Sequence, residues 1–281
     1  MSVLPSFDVY SPREIASRVQ DVCMAKGRLS LLQLSMLGIL ACAFIGLGAL
    51  FSVLVLSDAS LGFAASRVLG GVVFSLGLLL VVVAGAELFT GNNLLAMAWA
   101  DGCMSTRDVL TNWVVVCLAN FAGALGLAVI VYFSGHTQMN GGAVAKTYLA
   151  IAQAKGSLSL AEAFFRGMLC NVLVCMAVWM TLAGRSVTDK FIAIVFPVSA
   201  FVAAGFEHSI ANMYLLPMAE LLKAGAGQPV EFAWLWRNLV PVIGGNLVGG
   251  SVLVALVYYV IYRRGARTTS SLEPSRKASD G

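Results

Sequence analysis

The sequence predicts an all-α membrane protein of six transmembrane helices, arranged as an inverted repeat of three plus three with broken second and fifth helices. Three observations carry this reading. Of 281 residues, 59% are hydrophobic and only 11% charged, with a mean hydropathy of +0.87, a balance foreign to soluble domains. Apolar runs long enough for about 30 Å of hydrocarbon, roughly 20 residues each, stand at 31–56, 68–89, 109–133, 163–183, 191–219 (interrupted) and 238–262. One eight-residue pattern is written twice at apolar depth, as Gly85-Ala-Glu87-Leu-Phe-Thr90-Gly-Asn92 and as Gly205-Phe-Glu207-His208-Ser-Ile-Ala-Asn212.

Residues 1–28 form an N-terminal segment in which Ile15, Val19 and Val22 recur at helical spacing, with Arg13, Glu14, Arg18 and Asp21 on other faces. This reads as a short amphipathic helix on the inner membrane surface. No apolar core follows its basic residues closely enough for a cleaved signal peptide, so the first span is expected to be retained. Residues 29–263 form the six-helix domain, with repeats at about 29–135 and 158–263, and residues 264–281 form a polar tail expected to be mobile.

Six spans place both termini on one side. Arg13, Arg18, Lys26, Arg28, Arg107, Arg185, Lys190 and the basic tail fall on that side, while Arg67, Lys146, Lys155, Arg166, Lys223 and Arg237 fall in or beside the opposite loops. The bias predicts cytoplasmic termini. The net charge of +4 comes largely from those flanks, so it reports topology and anionic lipid and gives no reason to invoke nucleic acid. Six scattered cysteines without a Cys-x-x-Cys pair indicate neither a metal site nor a disulfide framework, and no cofactor is expected.

The repeat runs beyond the two motifs, since Asn112, Asn120, Gly123 and Tyr132 recur as Asn238, Asn246, Gly249 and Tyr258 with one offset of 126. Three spans per half force the second half to insert upside down, so related motifs meet near the midplane. Gly85, Gly91 and Gly205 weaken helical continuity there, and Pro197 lacks a donor. Backbone groups freed by such breaks are tolerated at membrane depth only in protein or beside a cavity, so the breaks predict a polar pathway. Glu87 and Glu207 are expected to accept the freed N–H groups, and Asn92, Asn212, Asn120 and Asn246 to tie backbone, with Asn246 a candidate for both tie and solute ligand. The small-residue sets Gly70-Gly71, Gly123, Gly126 and Gly249-Gly250 read as helix-packing surfaces.

These residues resemble the signatures of the formate/nitrite transporter family. The fifth-span Gly205-Phe-Glu-His-Ser-Ile-Ala-Asn-Met213 and the second-span Glu87-Leu-Phe-Thr90 stand at matching places, supported by Cys170-Asn171, Gly184-Arg-Ser-Val-Thr-Asp-Lys190 and Asn238-Leu-Val-Pro-Val-Ile-Gly-Gly-Asn246. The likeness covers roughly residues 10–262. It implies an aquaporin-like protomer in a homopentamer of the inner membrane, with one pore per protomer for small monovalent acids and their anions. Trp179-Met180-Thr181, Arg185-Ser186, Asp189-Lys190 and Pro217-Met218 resemble the formate branch, whereas Gly91-Asn92 is closer to the nitrite branch; formate is the expected cargo, with nitrite or hydrosulfide the alternatives. The resemblance further implies His208 as the central pore histidine, Thr90 as its hydroxyl neighbour, Asn171 as a pore-lining amide and Lys155 as the basic residue of the outer vestibule, preferred to Lys146. It assigns Phe74 and Phe201 to the outer constriction, and Leu78 and Phe89 to the inner one.

The chemistry expected of such a site follows from solvation. A carboxylate entering an apolar constriction loses hydration at several kcal/mol or more, so the protein must supply a charge partner or a proton. A histidine can do either. A neutral-solute pore lacks its Asn-Pro-Ala pairs here, and a serine hydrolase built on adjacent His208 and Ser209 lacks both the geometry and a Gly-x-Ser-x-Gly elbow.

Overall fold

The computed structural model describes residues 9–264. Among these the regular structure is all helical, in ten longer helices, α1 Pro12–Gly27, α2 Leu31–Leu56, α3 Phe63–Gly85, α4 Leu95–Ala100, α5 Thr106–Phe133, α6 Ala143–Gly156, α7 Leu160–Thr181, α8 Val187–Ala203, α9 Ser209–Gly225 and α10 Leu235–Tyr262, with short 3-10 turns at Gly91–Leu94, His136–Gln138 and Asn140–Gly142. Five of them begin at a reciprocal capping box, Ser11/Glu14, Ser30/Gln33, Ser105/Asp108, Ser159/Glu162 and Ser186/Asp189, which satisfies backbone donors at the first turn. In α1 the hydrogen bonds from Ser11 hold the Glu14 carboxyl below its ordinary range.

Helices α2, α3, α5, α7 and α10 are long and apolar enough to cross a membrane, yet only 39–44% of their most apolar windows is buried inside the protein. Their outward faces carry residues such as Leu118, Ile130, Phe133 and Phe196 of the neighbouring α8, a continuous apolar surface that belongs in a bilayer. The inner faces pack closely because glycine removes the side chain at the contacts. A Cβ on Gly123 of α5 would strike the Ile39 carbonyl of α2, and one on Gly249 of α10 would strike the Met168 carbonyl of α7. These two contacts relate α2–α5 to α7–α10 and are the small-residue packing that lets helices approach without an aqueous driving force.

Several boundaries differ from expectation. The second span begins at Phe63 and stops at Gly85, not 68–89, because Gly85 takes φ +83° and the Ala86 N–H turns back to the Val81 carbonyl, closing the helix. The fifth run divides into α8 and α9, each of 17 residues and individually short for a crossing. Helix α8 continues through Pro197 to Ala203, so the proline does not mark the stop; Gly205, φ +72°, does, with the Phe206 N–H returning to the Phe201 carbonyl. Helix α6 was not anticipated. Helix α1 lays Ile15, Ala16, Val19 and Cys23 against the protein, so most of its apolar face is covered by the chain itself, while Val22 stays exposed. The expected mobile tail lies outside the described residues apart from its first position.

Candidate functional site: two half-helix ends and a histidine between cationic cavities

The stretches 86–90 and 204–208 bring the two repeated motifs together at the centre of the molecule. Each is held by an equivalent set of bonds. The Glu87 N–H donates to the Leu37 carbonyl at 3.2 Å and the Glu207 N–H to the Arg166 carbonyl at 3.3 Å. The Phe89 N–H donates to Asn120 Oδ1 and the Ser209 N–H to Asn246 Oδ1, both at 3.0 Å. Asn120 Nδ2 returns to the Gly38 and Glu87 carbonyls, and Asn246 Nδ2 to those of Gly167 and Glu207. The freed N–H groups are thus taken by asparagines and helix carbonyls; the expected acceptors, the Glu87 and Glu207 carboxylates, are otherwise engaged. An amide serves better because it accepts the N–H and donates to two carbonyls at once.

The carboxylates instead close two charged clusters. Glu87 receives Lys26 Nζ at 2.8 Å and Asn92 Nδ2 at 2.7 Å, and Asn92 Nδ2 also reaches Asn112 Oδ1. Glu207 receives Lys155 Nζ at 2.9 Å and Asn212 Nδ2 at 2.6 Å, and Asn212 Nδ2 reaches Asn238 Oδ1. Both carboxylates are buried, and each needs its lysine and amides to offset lost hydration. Lys26 is the residue that sequence reasoning missed. Its signal was present: Ala25-Lys-Gly-Arg-Leu-Ser-Leu31 matches Ala154-Lys-Gly-Ser-Leu-Ser-Leu160, so α1 and α6 belong to the repeat although its halves were drawn from residues 29 and 158.

His208 stands where α9 begins. Its Nδ1 accepts the Ala211 N–H at 3.2 Å, capping the helix, and its Nε2 lies 3.1 Å from Thr90 Oγ1. With Nδ1 occupied as an acceptor, the neutral ring carries its proton on Nε2 and donates toward Thr90. Phe201 stacks on the imidazole at 5.8 Å, and Phe74 meets Phe201 edge-on at 5.7 Å. Leu78 and Phe89 are both buried, and Leu78 lines the larger of two cavities. Asn171 is fully buried; its Nδ2 donates to Asn93 Oδ1 and to the Asn246 carbonyl, both at 2.7 Å, and lies 3.2 Å from the Thr90 carbonyl, while its Oδ1 has no hydrogen-bond partner among the described residues.

Two cavities flank this centre. One, of about 210 Å³, is lined by Phe74, Phe201, Glu207, His208, Arg67, Lys155 and Arg166; the other, of about 520 Å³, by Leu78, Glu87, Leu88, Asn92, Lys26 and Lys190. Apolar walls, a few convergent polar groups and basic residues at both ends suit a small anion or acid passing between them.

The family model described as "Formate/nitrite transporter" matches residues 13–260. The formate channel FocA of Haemophilus influenzae is 40% identical over 206 residues, covering 68% of this chain and 72% of that protein. The formate channel FocA of Escherichia coli K12 is 35% identical over 274 residues, covering 92% and 96%. Among solved structures, a pentameric formate channel with formate bound aligns at a TM-score of 0.75 and 37% identity, over 83% of this chain and 97% of that one. An FNT family ion channel aligns at 0.79 and 28% identity, over 88% and 98%.

Proposed function

The chain belongs to the formate/nitrite transporter family, and on that premise we propose that it is a formate channel of the cytoplasmic membrane in which His208 assists proton transfer to the passing anion. The observation that carries this reading is the 3.1 Å contact between His208 Nε2 and Thr90 Oγ1, made between apolar walls with a cationic cavity on either side. The solved relative described as a pentamer with formate bound supports the cargo and a homopentamer.

In this reading the protomer crosses the bilayer six times, α8 and α9 together forming one broken crossing and α3 with α4 another, with both termini cytoplasmic. The first half, α1–α5, and the second, α6–α10, are then inverted relative to each other, as in aquaporin-like folds. Phe74 with Phe201 and Leu78 with Phe89 form the outer and inner constrictions. Asn171 lies beside Thr90 with its Oδ1 left free to accept from a passing acid.

The cap on His208 decides how a proton moves. Charging the ring means protonating Nδ1, which expels the Ala211 N–H from its acceptor. The ring therefore resists holding a charge by itself, and an anion at Nε2 provides the compensation for one. A proton delivered to Nδ1 by a hydronium ion, which leaves water behind, and another released from Nε2 to formate give neutral formic acid and a neutral ring protonated on Nδ1; loss of that proton to water and uptake of one at Nε2 restore the cap. Thr90 Oγ1 holds Nε2 in line until the anion replaces it. Lys155 is half of an ion pair with Glu207, so its part is to shape the outer cavity and to support the break.

The test is stopped-flow flux in proteoliposomes, comparing formate, nitrite, hydrosulfide and glycerol in one preparation. Rapid passage of formate ahead of the others is expected. Preference for nitrite or hydrosulfide would move the cargo within the family, and glycerol passage without acid flux would replace the acid-channel reading by a neutral-solute pore.

A further inference from the structure

We infer that Arg67 is the residue that makes the outer cavity selective for anions, by supplying its uncompensated positive charge at the end of a half-helix that would otherwise repel them. The inference rests on the acid-channel reading above and adds a specificity residue that neither motif contains.

Of the four charged side chains lining that cavity, Arg67, Lys155 and Arg166 are cationic and Glu207 anionic, and two of the three cations have a carboxylate partner. Lys155 is paired with Glu207 at 2.9 Å, both side chains largely out of solvent at 15% and 4% exposure. Arg166 reaches Glu162 at 4.0 Å. Among the described residues Arg67 has no carboxylate partner; its hydrogen bonds run to backbone, Nε to the Ala203 carbonyl at 3.2 Å and Nη2 to the Val202 carbonyl at 3.0 Å.

Those two carbonyls belong to the C-terminal end of α8, immediately before the Gly205 break. A helix C-terminus carries about half a negative elementary charge. Ending a helix beside a cavity for anions therefore creates an electrostatic obstacle, and the guanidinium placed on the terminal carbonyls reverses its sign. Gly205 leaves room for it, since a Cβ there would come within 3.0 Å of Arg67 Nη2. In the inner cavity Lys26 is likewise paired with Glu87, while Lys190 shares the lining with Val82 and Gly85 and makes no ion pair among the described residues.

The experiment is formate influx into proteoliposomes at low and high ionic strength for wild type, Arg67→Gln and Arg67→Lys, with assembly checked by size-exclusion chromatography. Salt screens an exposed charge over about 10 Å at 0.1 M, so a steering charge and a helix cap are separable. Arg67→Gln is expected to lower influx several-fold at low salt, with the difference shrinking at high salt, and Arg67→Lys to keep most of the wild-type salt dependence. Should Arg67→Gln fail to assemble, Arg67→His makes the comparison within one folded protein: its salt dependence must weaken as pH rises through the histidine range more than that of wild type. Superimposable salt profiles for wild type and Arg67→Gln, or an equal loss in the Gln and Lys variants at every salt concentration, would overturn the inference. Wild type that passes no small anion would overturn the channel reading and this inference with it.

Discussion

Leu88 and His208 are structural counterparts. The Asn92 N–H donates to the Leu88 carbonyl at 2.8 Å and the Asn212 N–H to the His208 carbonyl at 3.0 Å, and both residues are buried just before the resumed helix. The two halves thus share a scaffold and differ in the group placed at its centre, an inert side chain in one and an imidazole in the other. Thr90, from the half that lacks the histidine, completes the pair. The arrangement separates residues that hold the breaks from residues that act on a solute, and the predictions divide in the same way.

The scaffold predictions concern both halves equally. Asn120→Ala and Asn246→Ala each strand one buried N–H and two carbonyls, at about 1–3 kcal/mol per unsatisfied group. Thermal unfolding of the detergent-solubilised protein should show comparable large losses for the two variants. A near-neutral effect of one would mean that the breaks are not held alike.

Lys155→Ala leaves the Glu207 carboxylate buried without its cation, which costs about 3–5 kcal/mol for a buried pair. Adding Glu207→Gln removes the stranded charge, so the double variant should regain part of the lost midpoint in the same unfolding assay. Additive losses would show that the two side chains do not interact. The same comparison on Lys26 and Glu87 should give the same pattern.

Gly85 and Gly205 both need positive φ, where a side chain costs about 1–2 kcal/mol. At Gly85 a Cβ meets nothing within 4 Å, whereas at Gly205 it meets Arg67 Nη2. Gly205→Ala should therefore lower the unfolding midpoint more than Gly85→Ala. Equal effects would indicate that Arg67 moves aside freely.

Much of this was legible in the residues. The apolar runs located α2, α5, α7 and α10 to within three residues at either end, because lipid-facing helices need continuous hydrophobicity. The duplicated motif fell where α3 and α8 end, beside Gly85 and Gly205, since glycine with Glu and Asn at apolar depth has few other uses. The exact stopping points were less legible: Pro197 looked like a breaker, yet it sits inside α8, where a missing donor can be accommodated, and positive φ at Gly205 ends the helix. Helix α6 escaped notice because it is short and only moderately apolar. Lys26 escaped because charge there was read as topology, although its partner Glu87 lies just beyond the end of α3, far along the chain. Asn171 Nδ2 is engaged by acceptors behind Thr90 while its Oδ1 is left without a hydrogen-bond partner among the described residues, a matter of side-chain direction that composition does not encode.

The pH dependence of formate flux tests the account most directly. His208→Asn keeps a side-chain acceptor for the Ala211 N–H, as asparagine is a good N-cap, and removes the titratable ring. In proteoliposomes at two pH values, wild type should show pH-dependent formate flux, and His208→Asn, folded and assembled, should lose that dependence. A His208→Asn protein that kept the wild-type pH profile would contradict the assignment of proton transfer to His208.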